Sequence, residues 1–269
     1  MKKNFLITTG GSGGHVLPAV ILYEHLSRQA DVTISTDKRG MKYLDQNIYN
    51  FEIINTPKLN NIFLIPLNII IVFFLLIKSI ILLKRKKIKK IFSTGGYMSL
   101  PIILAGRLLN LDIFLLEPNQ IIGRSNKYFL KSCIKIFCYT NELKNFPEKF
   151  QNKKVVINPL VREDIYKKKS PSKIGNKLNL LIVGGSQGAE IFDKNLKNSI
   201  LNLSKKIQIK IIQQTKKNNI SFLADFYSKN NLENEIFSFD KNLSDKLSQV
   251  DICITRAGAS TLAELSVLN

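Results

Sequence analysis

The chain has no tryptophan, only two histidines and three cysteines, and half as many acidic as basic residues, 20 Asp and Glu against 40 Lys and Arg in 269. Each shortage excludes something. Cys133, Cys138 and Cys253 are odd in number and show no Cys-x-x-Cys spacing, so no disulfide framework is indicated and reduced, buried thiols of a cytosolic protein are expected. His15 and His25 are too few and too early to build a zinc site with those cysteines. No Asp-x-Asp pair occurs, so there is no acidic dyad to hold a divalent metal against a diphosphate, and no cofactor is expected. The longest purely apolar run, Ile69–Ile77, has nine residues, whereas a bilayer-spanning helix needs about 20.

The formal charge of +20 implies an anionic partner: nucleic acid, phospholipid or a phosphorylated substrate. Lys, Ile and Asn are abundant throughout, so coding bias with many solvated lysines explains part of that charge. Basic residues interleaved with aromatics, as in single-strand nucleic-acid binders, are missing, and no nucleic-acid partner is expected. The most apolar segment, Ile62–Leu83, is interrupted by Asn68, Lys78 and Ser79, with Pro66 near its start. Six basic residues in seven follow it at Lys84–Lys90. Two readings fit: a peripheral contact with an anionic leaflet, or a core helix with a solvated end. Met1-Lys2-Lys3 before Phe5-Leu6-Ile7 resembles a signal peptide, but the apolar part is too short and Gly10 ends it, so a first β-strand is expected.

The stretch Thr8-Thr9-Gly10-Gly11-Ser12-Gly13-Gly14-His15 follows that strand and precedes the apolar-periodic segment from Ala19 to Leu26. Strand, glycine loop, helix is the order that offers free backbone N–H groups to an anion, typically a phosphate. It is not the dinucleotide fingerprint, because Val16 stands where the third glycine belongs, and it is not a P-loop, because no Gly-Lys-Ser/Thr follows. Gly-x-Ser-x-Gly, the nucleophile elbow, fits at 10–14 and again at 184–188. Neither histidine can follow Ser186 in the Ser–acid–His order, and neither arrives from a loop later than Ser12, so a hydrolase triad is not expected. A bland glycine turn is the other alternative.

Strands are expected at Asp31–Thr36, Phe51–Ile54, Ile91–Thr94, Asp112–Leu116, Lys135–Thr140 and Lys154–Ile157, and a helix at Ile102–Leu109. This β-α-β alternation predicts a parallel sheet with helices on its faces. Gly95-Gly96-Tyr97 and Glu117-Pro118-Asn119-Gln120 close two of those strands. With residues 10–15 they should share the rim where ligands collect. Lys167–Lys177, with Pro171 and Gly175, reads as a linker; the expected division is 1–162, a linker at 163–177, and 178–269. The second half repeats the pattern. Leu178–Val183 leads to Gly184-Gly185-Ser186-Gln187-Gly188-Ala189, strands follow at Ile207–Ile212, Ile236–Phe239 and Val250–Thr255, and Arg256–Thr261 leads into a last helix. A substrate would lie between two such halves.

Six motifs occur in order: Gly10-Gly11-Ser12-Gly13-Gly14-His15-Val16-x-Pro18-Ala19, Gly95-Gly96-Tyr97-x-Ser99-x-Pro101, Glu117-x-Asn119 with Gly123 and Asn126-Lys127, Asn158-Pro159-x-x-Arg162, Gly184–Ala189, and Arg256-x-Gly258-Ala259-x-Thr261-x-x-Glu264. Together they closely resemble the peptidoglycan N-acetylglucosaminyltransferases of glycosyltransferase family 28. The resemblance implies an α/β, GT-B fold: two Rossmann-like domains facing a cleft. It implies inverting transfer of N-acetylglucosamine from UDP-N-acetylglucosamine to the C4 hydroxyl of lipid I, an undecaprenyl-diphosphate-linked N-acetylmuramoyl-pentapeptide. The setting would be the cytoplasmic face of the bacterial inner membrane, with the protein bound peripherally to its anionic surface. By the same resemblance, donor and diphosphate contacts fall to Ser12, Gly13, Gly14, Asn119, Arg162, Ser186, Gln187, Ala259, Ser260, Thr261 and Glu264, the last accepting ribose hydroxyls. Gly95, Gly96 and Tyr97 lie on the acceptor side. His15 is the favoured base for the acceptor hydroxyl, since imidazole titrates near neutrality; binding diphosphate or ordering the loop is its other reading, and Glu117 is the second acid–base candidate. Leu116 and Pro118 depart from the family's His-Glu-Gln-Asn and put the shape of that loop in question. Family members continue past the position of Asn269 with a further strand, a glutamine-bearing loop and more helices, so an incomplete second domain is expected. The alternatives are an inactive remnant that binds only membrane or nucleotide, and a GT-B enzyme with another lipid acceptor.

Overall fold

The structure is a computed structural model and describes residues 3–57, 65–168, 175–184, 190–238, 240 and 242–268. They fall into two compact units, Met1–Leu160 and Val161–Asn269.

Unit 1 runs β1 (Lys3–Thr8), α1 (Gly13–Leu26), β2 (Ala30–Thr36), β3 (Phe51–Ile53), α2 (Ile65–Arg85), β4 (Lys90–Ser93), α3 (Leu100–Leu108), β5 (Asp112–Glu117), α4 (Arg124–Phe129), β6 (Lys135–Cys138) and β7 (Lys154–Val156). Its seven strands are ordered β3-β2-β1-β4-β5-β6-β7, every adjacent pair parallel. Both faces are covered, which is why β1 reads as a continuous apolar run. Neighbouring Leu6 and Ile7 point into different cores: Leu6 joins Ile91, Ile113 and Ile136, while Ile7 joins Val16, Val20 and Ile34. Phe92, Phe114 and Phe137 stack in a row across β4, β5 and β6, with centroids 5.1 and 6.1 Å apart. The register Phe92↔Phe114 brings the first two rings side by side on one face.

From Ile65 on, the apolar segment forms one helix, α2, whose outward face is left uncovered among the described residues. Leu82 and Leu83 are buried in the unit 1 core, yet Leu67, Ile69, Ile70, Phe73, Phe74 and Ile81 are exposed, Phe74 by 64%. By length and composition Pro66–Arg85 suffices to cross a bilayer, although its longest unbroken apolar run does not.

Unit 2 runs α5 (Glu163–Tyr166), β8 (Lys177–Val183), α6 (Glu190–Asn195), α7 (Lys197–Ser204), β9 (Gln208–Gln214), α8 (Ile220–Lys229), β10 (Glu233–Phe237), α9 (Leu243–Leu247), β11 (Ile252–Thr255) and α10 (Ala259–Leu268). Its sheet is parallel, ordered β10-β9-β8-β11. Leu181 and Val183 face a core with Ile165, Leu247 and Ala263, whereas Leu180 and Ile182 face one with Ile200, Leu223 and Tyr227.

Several sequence boundaries differ from expectation. Arg162 and the start of the expected linker belong to unit 2: Val161 and Ile165 are buried in its core, and Asp164 accepts a 2.6 Å hydrogen bond from Ser244 Oγ. Strand β10 begins at Glu233 rather than Ile236. Its polar residues suit an edge strand, because Glu233 pairs with Lys177 and Lys210. Helix α10 starts at Ala259, so Glu264 lies in its second turn.

Candidate active site

In unit 1 the carboxyl ends of adjacent strands β1, β4 and β5 carry the three loops expected on one rim. Gly11 holds φ +84°, a conformation that strains any residue with a Cβ, and a Cβ there would also displace the Met98 methyl, 2.6 Å away. Ser12 precedes α1 with extended backbone and makes no side-chain cap, which leaves the amides of Gly13 and Gly14 without a capping group from that side chain. His15 is the third residue of α1, and its Nδ1 lies 2.8 Å from the carbonyl oxygen of Thr94. A carbonyl only accepts, so Nδ1 carries the proton and Nε2 keeps its lone pair. Thr94 Oγ1 is also 2.9 Å from the His15 carbonyl oxygen and 2.8 Å from Thr9 Oγ1, fixing the end of β4 to the start of α1. Gly95, at φ +92°, leaves room where a Cβ would sit 3.4 Å from His15 Cε1 and 3.5 Å from Asn126 Oδ1.

Glu117 is 2% exposed, and its two oxygens accept four hydrogen bonds. Donors are the Asn119 N–H (3.2 Å) and Asn119 Nδ2 (2.9 Å) to Oε1, and the Gly123 N–H (2.7 Å) and Asn126 Nδ2 (3.0 Å) to Oε2. Pro118 therefore leaves the loop closed on its own glutamate. Asn126 Nδ2 also donates to the Leu116 carbonyl at 3.0 Å. Both partners of that nitrogen are acceptors, so the amide orientation is determined and Oδ1, buried without a partner among the described residues, is a true acceptor. Asn119 itself is exposed and Tyr97 half-buried.

In unit 2, Ser186 and Gln187 lie outside the described residues. The loop from β11 to α10 contains Ala257 at φ +56°, and Ala259, Ser260 and Thr261 open the helix, all half-buried. Glu264, 2% exposed, takes a two-point ion pair from Arg162: Nε to Oε1 at 2.6 Å and Nη2 to Oε2 at 3.0 Å. The sequence places both among the donor contacts, but not against each other. Arg256, absent from the expected site residues, is an exposed cation at the carboxyl end of β11. Its signal was the position itself, directly before a helix that follows a parallel strand.

Two parallel α/β units, of seven and four strands, are the architecture of the GT-B class. Residues 5–138 match the glycosyltransferase family 28 N-terminal domain and residues 179–269 the family 28 C-terminal domain. The chain belongs to glycosyltransferase family 28. It is 49% identical over 267 residues to the UDP-N-acetylglucosamine–N-acetylmuramyl-(pentapeptide) pyrophosphoryl-undecaprenol N-acetylglucosamine transferase of Pelagibacter ubique, covering 99% of this chain and 75% of that protein. The Rickettsia felis protein of the same name is 34% identical over 279 residues, covering 99% and 77%. Among solved structures, Acinetobacter baumannii MurG superimposes with TM-score 0.72 at 23% identity, over 100% of this chain and 76% of that one. A UDP-GlcNAc 2-epimerase from Neisseria meningitidis gives 0.62 at 16%, over 95% and 78%, which is a likeness of fold.

Proposed function

We propose that the chain catalyses the reaction its relatives' names describe, transfer of N-acetylglucosamine from UDP-N-acetylglucosamine to undecaprenyl-diphosphate-linked N-acetylmuramoyl-pentapeptide, lipid I. The observation that carries the chemical part is the bond from His15 Nδ1 to the Thr94 carbonyl. It leaves Nε2 as a base at the mouth of a glycine loop. In this mechanism Nε2 takes the proton of the C4 hydroxyl as its oxygen attacks the anomeric carbon opposite the leaving UDP, so the configuration inverts. Glu117, with both oxygens already engaged, is a positioning residue that shapes the 117–126 loop.

On the donor side, each Glu264 oxygen spends one lone pair on Arg162 and keeps another for a ribose hydroxyl. Arg162 then orients Glu264 rather than the diphosphate. The charge developing on UDP falls to helix N-terminal amides and to Arg256. The α2 face and the basic segment after it seat the protein on an anionic membrane surface, the cytoplasmic leaflet where lipid I is exposed to the cytosol.

The test is transfer of labelled N-acetylglucosamine to a lipid I analogue. His15→Ala should lower kcat by roughly 10²–10⁴, the usual worth of a positioned base, with little change in donor KM. An unchanged kcat removes His15 as the base, and no transfer by the parent chain removes the function.

A further inference from the structure

We propose that Arg39 is a positioning residue for this reaction, the bolt of a latch that ties the Gly10–Gly14 loop to the Gly95–Tyr97 loop and so sets His15. The inference rests on the transferase reading above. Asp37 follows β2 and is buried; its Oδ1 accepts the N–H groups of Gly11 at 2.9 Å and Gly40 at 2.8 Å. Its Oδ2 accepts Arg39 Nε at 2.8 Å. From the other end of the same guanidinium, Nη2 donates to the Tyr97 hydroxyl at 2.6 Å and contacts Met98 Sδ at 3.4 Å. The guanidinium carbon stands 5.6 Å from the centroid of the Tyr97 ring.

One side chain thus joins the first glycine loop, through Asp37, to the second, through Tyr97. Gly96, next to Tyr97 in the chain, connects the junction to the candidate base. A Cβ on Gly96 would be 3.1 Å from Met98 Cε and 3.8 Å from His15 Cδ2. Arg39 serves because its planar fork presents Nε and Nη2 to two acceptors at once; a lysine ammonium on a flexible stem does not hold that geometry. Asp37 fixes the fork and neutralises it, so its role is orientation rather than charge. Displacing a reacting group by about 1 Å costs on the order of 100-fold in rate, so a loosened latch should be visible in kcat.

The experiment compares Arg39→Ala, Arg39→Lys, Tyr97→Phe and the Arg39→Ala/Tyr97→Phe double variant in the full chain. Two readouts are taken: transfer kinetics, and the Cε1–H resonances of His15 and His25 by NMR. The chain has only these two histidines, and His25, exposed on α1, is the internal control. Expected is a kcat lowered roughly 10–100-fold in each single variant, donor KM unchanged, the double variant no worse than Arg39→Ala, and the His15 resonance moved while His25 stays. Tyr97→Phe is neutral and nearly isosteric, so its effect on His15 reports geometry and not lost charge. A His15 resonance unmoved in both Arg39→Ala and Tyr97→Phe overturns the latch, as does a fall in Tm with kcat intact. Absence of transfer by the parent chain overturns the function instead and leaves the latch to be decided by the His15 resonance.

Discussion

Arg162 and Glu264 stand 102 residues apart and meet in a two-point ion pair. Glu264 is almost fully buried and Arg162 largely so. Removing one partner of such a pair leaves a buried charge uncompensated, at about 3–5 kcal/mol, whereas replacing both with apolar groups is close to neutral. Glu264→Ala and Arg162→Ala should each destabilise unit 2 by about that amount, and Arg162→Met/Glu264→Leu by much less. Urea unfolding of the three variants checks this. Additive losses in the double variant would show that the pair is not a coupled unit.

Transfer should survive chelation. The sequence lacks an Asp-x-Asp dyad, and the proposed stabilisation of UDP uses amides and arginine. Activity in excess EDTA should stay within about twofold of the untreated value, a difference below about 0.5 kcal/mol in barrier. Complete loss restored by Mg²⁺ or Mn²⁺ would refute it.

Binding to anionic vesicles should be peripheral and salt-sensitive. Six basic residues lie in Lys84–Lys90, but Arg85 and Lys86 share Glu52, and Lys90 sits 3.9 Å from Asp112. Six cations less two carboxylates leave a local excess of four. At about 1 kcal/mol each near the surface this gives an upper bound of about 4 kcal/mol, less with screening. Phe73→Ser/Phe74→Ser should abolish cosedimentation, because the apolar face is lost with the charges intact. Protein retained in the pellet after carbonate washing would instead indicate that α2 spans the bilayer.

Acid should loosen the Gly11 loop only below about pH 4. Burial alone would raise the Asp37 pKa, but the N–H groups of Gly11 and Gly40 and the Arg39 guanidinium more than offset it and hold the carboxyl below its ordinary value. A depressed carboxylate stabilises the fold above its unfolded pKa, about 3.9, and that stability is lost as pH falls through the folded value. Asp37→Asn should therefore be less stable than the parent at pH 7, with the gap closing below about pH 4. Equal gaps at pH 7 and pH 3 in urea titrations would contradict this.

The two parallel sheets and unit 1's loop cluster were legible because their causes are local. A parallel strand buried on both faces has to be apolar, and Gly11 and Gly95 mark places where backbone needs positive φ. The Glu117 shell was legible in principle, since its donors at 119, 123 and 126 lie within ten residues, but a list of side chains does not say that a carboxylate is saturated. Arg162–Glu264 was beyond reach because nothing in the intervening residues specifies which partner a buried arginine finds. Strand β10 was misplaced because Glu233 and Glu235 look unlike a strand until the lysines around them are in place. For α2, hydrophobicity on every side cannot distinguish burial in protein from exposure to lipid.

The exposed apolar row on α2 from Leu67 to Ile81 extends about 21 Å at 1.5 Å per residue. A row of that length, laid flat on a bilayer as we propose, fixes more than attachment. It removes two rotations of unit 1, so that unit 1 meets the leaflet in one orientation at every encounter. The search for a substrate that itself diffuses only in the membrane then becomes two-dimensional. The rate at which enzyme and lipid meet is governed by their surface densities, not by the volume of the cell.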